Sequence, residues 1–140
     1  NMKKLMMVPV FCALAIFAQA GGEESAAKGV PEISLDDLKK AVAEKKVVLI
    51  DCNGSESFAK GHIPGAIDFE AAKADLAKLL PQDKTALVVA YCGGPMCGAY
   101  KAGAEAAAKL GYANVKHFAG GISGWQKAGE KMEATEPQKK

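Results

Sequence analysis

Apolar positions along the chain change period several times, and each change marks an element. From Ser34, Leu35, Leu38, Ala41 and Val42 recur at helical spacing on one face. Ser34 and Asp37 form a capping-box-like pair, with Ile33 and Leu38 at the staple positions, so a helix is predicted to start at Leu35. Val47 to Ile50 is an unbroken apolar run ending at Asp51, the pattern of a strand buried on both faces of a parallel sheet. Ser55 to Lys60 is predicted as a short helix closed by Gly61, followed by the turn His62-Ile63-Pro64-Gly65-Ala66. Ala71 to Leu80 reads as one helix stopped by Pro81. Ala86 to Tyr91 is a second buried strand that runs directly into Cys92. Ala99 to Leu110 is an alanine-rich helix with Gly111 as its C-cap, and Ala99, Ala102, Gly103 and Ala106 are small enough to let its backbone lie close on a sheet. Val115 to Phe118 is a third strand, after which Gly120-Gly121 turns the chain into a short helix holding Trp125. Strands alternating with helices predict an α/β domain with a mostly parallel central sheet and helices on both faces. In such sheets chemistry gathers at the carboxyl ends of the strands, and two of those ends carry cysteine, Cys52 and Cys92.

The ends of the chain have a different character. Lys3 and Lys4, the 13 apolar residues Leu5 to Phe17, and Ala18-Gln19-Ala20 have the three parts of a signal peptide, predicting residues 1–20 as a segment cut after Ala20. Thirteen residues are too few to span a bilayer. The product is expected in the periplasm or outside the cell, an oxidising compartment, with no membrane attachment once the signal is removed. Residues 21–30 are polar or small apart from Val30 and read as a linker, 31–129 as the domain, and 130–140 as a polar, frayed tail.

Composition narrows the chemistry. All 18 basic residues among the 140 are lysine, so no guanidinium is present to clamp phosphate or carboxylate in bidentate fashion. Without Lys3 and Lys4 the charges balance at 16 lysines against 16 acids, which leaves no electrostatic footprint for nucleic acid. After removal of the signal three cysteines remain, Cys52, Cys92 and Cys97, and an odd number leaves at least one thiol free or paired with another molecule.

The segment with most chemistry is Tyr91-Cys92-Gly93-Gly94-Pro95-Met96-Cys97-Gly98, a strand end, a tight loop and a helix start. Backbone amides in such a loop can converge as a nest, and the helix adds its unpaired donors and positive dipole end. A cysteine at the head of the loop is therefore expected to have a lowered pKa and to act as a nucleophile. Gly93 and Gly94 are expected to supply backbone angles closed to other residues, and Pro95 to stiffen the curve.

These pieces, taken with Phe58, Gly61-His62-Ile63-Pro64-Gly65-Ala66, Leu110-Gly111-Tyr112, Asn114-Val115 and the stretch from Gly120-Gly121 through Trp125 to Gly129, resemble a single-domain rhodanese over roughly residues 31–129. The resemblance implies a sulfurtransferase without cofactor or metal. Cys92 would accept sulfane sulfur from a small-molecule donor such as thiosulfate and hold it as a persulfide for a thiol or cyanide acceptor. It further implies that the backbone of Gly93, Gly94, Pro95, Met96, Cys97 and Gly98 forms the substrate cradle. Rhodanese loops commonly place arginine where this chain has Cys97, and often serine where it has Gly98. Related phosphatases and arsenate reductases use a loop one residue longer, with arginine at the position of Gly98. The strand end that often reads Asp-Val-Arg is Asp51-Cys52-Asn53 here. Anion holding would fall to amides and to Lys101, one turn into the following helix.

Cys97 has three readings: a resolving thiol, a disulfide partner, or a tolerated substitution. Cys52 is expected to be buried rather than to join the pocket, and Asp51 to cap the following helix rather than to orient a substrate. His62 and His117 read as structural, and Phe58 and Trp125 as core or rim. Met96 beside Cys97 is a soft-ligand pair that would suit Cu(I), while a structural zinc site lacks its spacing. Two further functions stay open beside sulfur transfer: a thiol redox protein cycling Cys92 and Cys97 against a partner protein, and a non-catalytic module that binds sulfide, metal or a partner.

Overall fold

The computed structural model describes residues 29–135. The signal segment, nearly all of the expected linker and residues 136–140 lie outside that range. Four parallel strands, β1 (Val48–Asp51), β2 (Ile67–Asp68), β3 (Val88–Tyr91) and β4 (Val115–Phe118), form one sheet in the order β2-β1-β3-β4. Between and around them run α1 (Leu35–Ala43), α2 (Ser55–Lys60), α3 (Phe69–Ala72), α4 (Leu76–Leu79), α5 (Tyr100–Lys109) and α6 (Gly121–Lys127).

The strands' period of two divides the core into halves. Leu49, Val89, Tyr91 and Phe118 face Leu38 of α1 and Trp125 of α6, while Ile50, Val88 and Ala90 face Leu76 of α4 and Ala104 and Ala107 of α5. Helices thus cover both faces, and all four residues of β3 are buried. Ser34 caps α1 as its sequence predicts, its Oγ accepting the Asp37 amide at 3.1 Å. Helix α5 lies on the sheet through Gly103, Ala104 and Ala107, a face rotated from the one expected through Ala102 and Ala106.

Two expectations are corrected. The single helix over 71–80 is two short ones: Asp68 caps α3 by accepting the Glu70 and Ala71 amides, which starts it at Phe69. A tight bond from Asp75 N to Ala72 O then ends it before Leu76. Between Phe69 and Leu76 only alanine, lysine and acidic residues occur, so no large apolar side chain favours a continuous helix there. The frayed tail is also docked as far as it is described. Glu133 pairs antiparallel with His62, and the Trp125 indole N–H donates to Lys131 O at 2.8 Å. Met132 packs on the core, and Lys39 meets Glu130 at 2.7 Å. At the other end Val30 packs on the core and its carbonyl meets His117 Nδ1 at 2.9 Å.

Candidate active site

The register aligns Asp51 with Tyr91 and Tyr91 with Phe118, so the carboxyl ends of β1, β3 and β4 finish level. Cys52 and Cys92, one residue beyond β1 and β3, therefore leave the sheet side by side. The Cys52 amide donates to Tyr91 O at 2.9 Å. Beneath them Asp51, fully buried, accepts the Tyr91 hydroxyl at 2.6 Å and the Asn53 amide at 2.8 Å. Tyr91 in turn accepts the Ile63 amide at 3.0 Å. Burial first, and then the Asp51 carboxylate, raises the Tyr91 pKa, so the hydroxyl remains a donor. Asp51 is thus a buried anchor for the floor of the site, and the cap position of α2 belongs to Gly54 instead.

Residues 92–99 curve from β3 into α5, with Cys92 only 2% exposed at the head of the loop. Cys97 is half-buried, Pro95 and Gly98 are exposed, and Met96 stands in solvent at 98% exposure. The Cys92 thiol donates to Cys97 O at 3.3 Å. Amides of Gly93 and Tyr100 point at the Cys92 sulfur, and those of Gly93 and Ala99 at the Cys97 sulfur. The donors aimed at sulfur therefore come from the first loop residue and the start of α5. Between them Cys97 N is spent on Gly94 O at 3.1 Å, and Pro95 has no N–H to offer.

This geometry reverses the expected acidity. Desolvation raises the Cys92 pKa and the Cys97 thiol adds to the rise, outweighing the Gly93 and Tyr100 amides. Cys97 is lowered, first by the hydrogen bond from Cys92 and then by the Gly93 and Ala99 amides. Within the pair acidity is therefore shifted away from Cys92 and toward Cys97. Alkylation by iodoacetamide at neutral pH should accordingly label Cys97 before Cys92. Because the Cys97 hydrogen bond and charge both raise Cys92, Cys97→Ala should move the pH midpoint of Cys92 alkylation downward. An unchanged or higher midpoint would contradict this assignment.

A second correction concerns the glycines. Neither Gly93 nor Gly94 adopts the left-handed region. That conformation occurs across the gap at Gly121, φ +59°, where a Cβ would meet Cys92 O, Gly94 N at 2.6 Å and Gly93 C at 2.7 Å. The next two amides hold the loop, Ile122 N donating to Cys92 O at 2.8 Å and Ser123 N to Gly93 O at 3.1 Å. The start of α6 thus clamps the base of the cysteine loop, a role that the Gly120-Gly121 pair did not disclose beyond its turn.

Remaining candidates fall outside the cradle. Cys52 packs under α5, where a Cβ on Gly103 would come within 2.6 Å of its sulfur, and burial pushes its pKa up to about 12. Lys101 is exposed and lines a groove between α5 and residues 29–31 that includes none of residues 92–98. His62 is buried against Phe58, its Nδ1 at 2.8 Å from Phe58 O, and His117 stacks on Tyr100. Among the described residues no group of three or more His, Cys, Asp or Glu is placed to hold a metal ion.

A model of the rhodanese-like domain matches residues 34–128, from the α1 cap to the end of α6. This chain belongs to the rhodanese-like domain family. Among solved structures it is similar to the BH2092 protein of Bacillus halodurans, at 26% identity and TM-score 0.59, covering 75% of this chain and 77% of that one. It is also similar to the human single-domain sulfurtransferase, at 26% identity and TM-score 0.53, with 71% and 97% covered. A thiosulfate sulfurtransferase from Pseudomonas aeruginosa shares the fold at 22% identity and TM-score 0.60 over 76% of this chain and 21% of that one. No curated protein matches the sequence significantly. This rhodanese-like domain has a thiol at position 97, and no arginine occurs in its sequence.

Proposed function

We propose that this rhodanese-like domain is a sulfurtransferase that carries sulfane sulfur as a persulfide on Cys92. The observation that carries the reading is the placement of Cys92 at the end of the central strand with the Gly93 and Tyr100 amides aimed at its sulfur. Cys92 reacts as its thiolate, its proton passing to water. The Cys92 thiolate then attacks the outer sulfur of thiosulfate. Its S–S bond breaks, sulfite leaves with the bonding pair, and the outer sulfur stays on Cys92 as the persulfide. Negative charge on that sulfur is met by the loop amides and by the positive end of α5, a helix of 10 residues. With no arginine in the chain, this neutral cradle supplies most of the anion holding.

An acceptor thiolate or cyanide completes the cycle by attacking the outer sulfur and returning Cys92 as thiolate. We place this activity in the periplasm or outside the cell, on the signal-peptide pattern of residues 1–20.

Mixing reduced protein with thiosulfate tests the reading. One equivalent of sulfite should appear, and a mass gain of about 32 Da should map to Cys92 when the reaction is quenched early. Sulfur found only on Cys52 or Cys97, or no uptake at all, would refute it.

A further inference from the structure

Position 97 holds a second thiol, whose backbone carbonyl accepts the Cys92 S–H at 3.3 Å, and the two thiols are unequally accessible. Cys92 is 2% exposed, whereas Cys97 is half-buried on the open side of the loop. We propose that Cys97 is a second catalytic residue that resolves the Cys92 persulfide, releasing hydrosulfide and leaving a Cys92–Cys97 disulfide. The inference rests on the sulfurtransferase reading and names a fate for the sulfur within that site.

The closeness of the two residues across the loop directs the attack. The Cys92 sulfur, 3.3 Å from the Cys97 carbonyl oxygen, becomes the inner sulfur of the persulfide, and the two thiols perturb each other's acidity. Attack there forms the Cys97–Cys92 bond and breaks the bond to the outer sulfur, which leaves with the electron pair as HS⁻. Hydrosulfide is a good leaving group because its conjugate acid is more acidic than an ordinary thiol. The lowered pKa of Cys97 favours the thiolate in the attacking group, and its exposure opens the resulting disulfide to an external thiol.

Electrons balance without oxygen. The sulfane sulfur is the oxidant, reduced to hydrosulfide, and the two cysteines are oxidised to the disulfide. An external dithiol closes the cycle: it attacks the accessible Cys97 sulfur, Cys92 leaves as thiolate, and the second external thiol releases Cys97. The sum is thiosulfate plus dithiol giving sulfite, hydrosulfide, a disulfide and one proton.

The experiment is a single turnover of reduced protein, freed of reductant and oxygen, with one equivalent of thiosulfate. Cys92 and Cys97 fall on one tryptic peptide, Thr85 to Lys101, and Cys52 on another, Val47 to Lys60. The native chain should release one equivalent each of sulfite and hydrosulfide, and the Thr85 to Lys101 peptide should end about 2 Da lighter. Cys97→Ser should still release sulfite but no hydrosulfide, and should hold about 32 Da of added sulfur on that peptide. A native chain that keeps the persulfide and releases no hydrosulfide would overturn the role of Cys97 while leaving sulfur uptake standing. A disulfide linking Cys52 to Cys92 would do the same. Neither sulfite nor mass gain in either protein would overturn the sulfurtransferase reading and this inference with it.

Discussion

Replacing Cys92 with alanine should abolish sulfur uptake, lowering sulfite release from thiosulfate by more than about 1,000-fold, because the covalent nucleophile is gone and no other thiol occupies its place. Cys52 cannot substitute: it packs against Gly103 under α5, and burial holds its pKa near 12, so almost none of it is thiolate at neutral pH. Cys97 keeps its amides but loses the hydrogen bond that contributes most to its lowered pKa. In Cys92→Ala its alkylation midpoint should therefore rise toward that of an ordinary thiol. The fold should survive, since the side chain removed is one small sulfur, worth about 1 kcal/mol of burial. Sulfite release at near-native rate from a folded Cys92→Ala protein would show that sulfur transfer occurs elsewhere or not through a persulfide.

The second large effect is expected at a residue with no chemistry of its own. Gly121→Ala should cost about 3 kcal/mol, from a left-handed backbone angle and from driving a Cβ into the backbone of Cys92, Gly93 and Gly94. For a domain of this size that is a fall in Tm of about 10–20 °C. Gly111 separates the two causes, because its φ is +93° and a Cβ there meets nothing within 4 Å. Gly111→Ala should cost only about 1 kcal/mol and leave sulfite release intact. Gly121→Ala should also slow sulfite release well below the melting transition, since the clamp from Ile122 N and Ser123 N sets where the Cys92 loop sits. Equal effects of the two substitutions on both stability and activity would show that only backbone strain matters at Gly121.

Both expectations depend on contacts that differ in how visible they are along the chain. The strand, loop and helix around Cys92 occupy consecutive residues, so their order could be read directly. Ser34 and Asp37 likewise announce the start of α1 because a cap is a contact across three residues. The buried runs Val47 to Ile50 and Ala86 to Tyr91 declare two parallel strands by their lack of polar positions. Edge strand β2, only two residues long, has no period to detect. The break between α3 and α4 is invisible for a related reason: alanine and lysine suit either a continuous helix or two short ones.

The sequence by itself determined the α/β class, the position of Cys92 at a strand end and the absence of any guanidinium, because each is a property of neighbouring residues or of composition. Only the tertiary structure decided that Asp51 anchors Tyr91 across 40 positions, that Glu133 seals His62, and that Gly121 carries the backbone strain expected of Gly93 and Gly94. It also reversed the expected shifts in acidity, raising the pKa of Cys92 and lowering that of Cys97. A loop motif specifies amides that favour a thiolate, but the opposing desolvation comes from the packing around Cys92, and the lowering at Cys97 comes first from its hydrogen bond with Cys92.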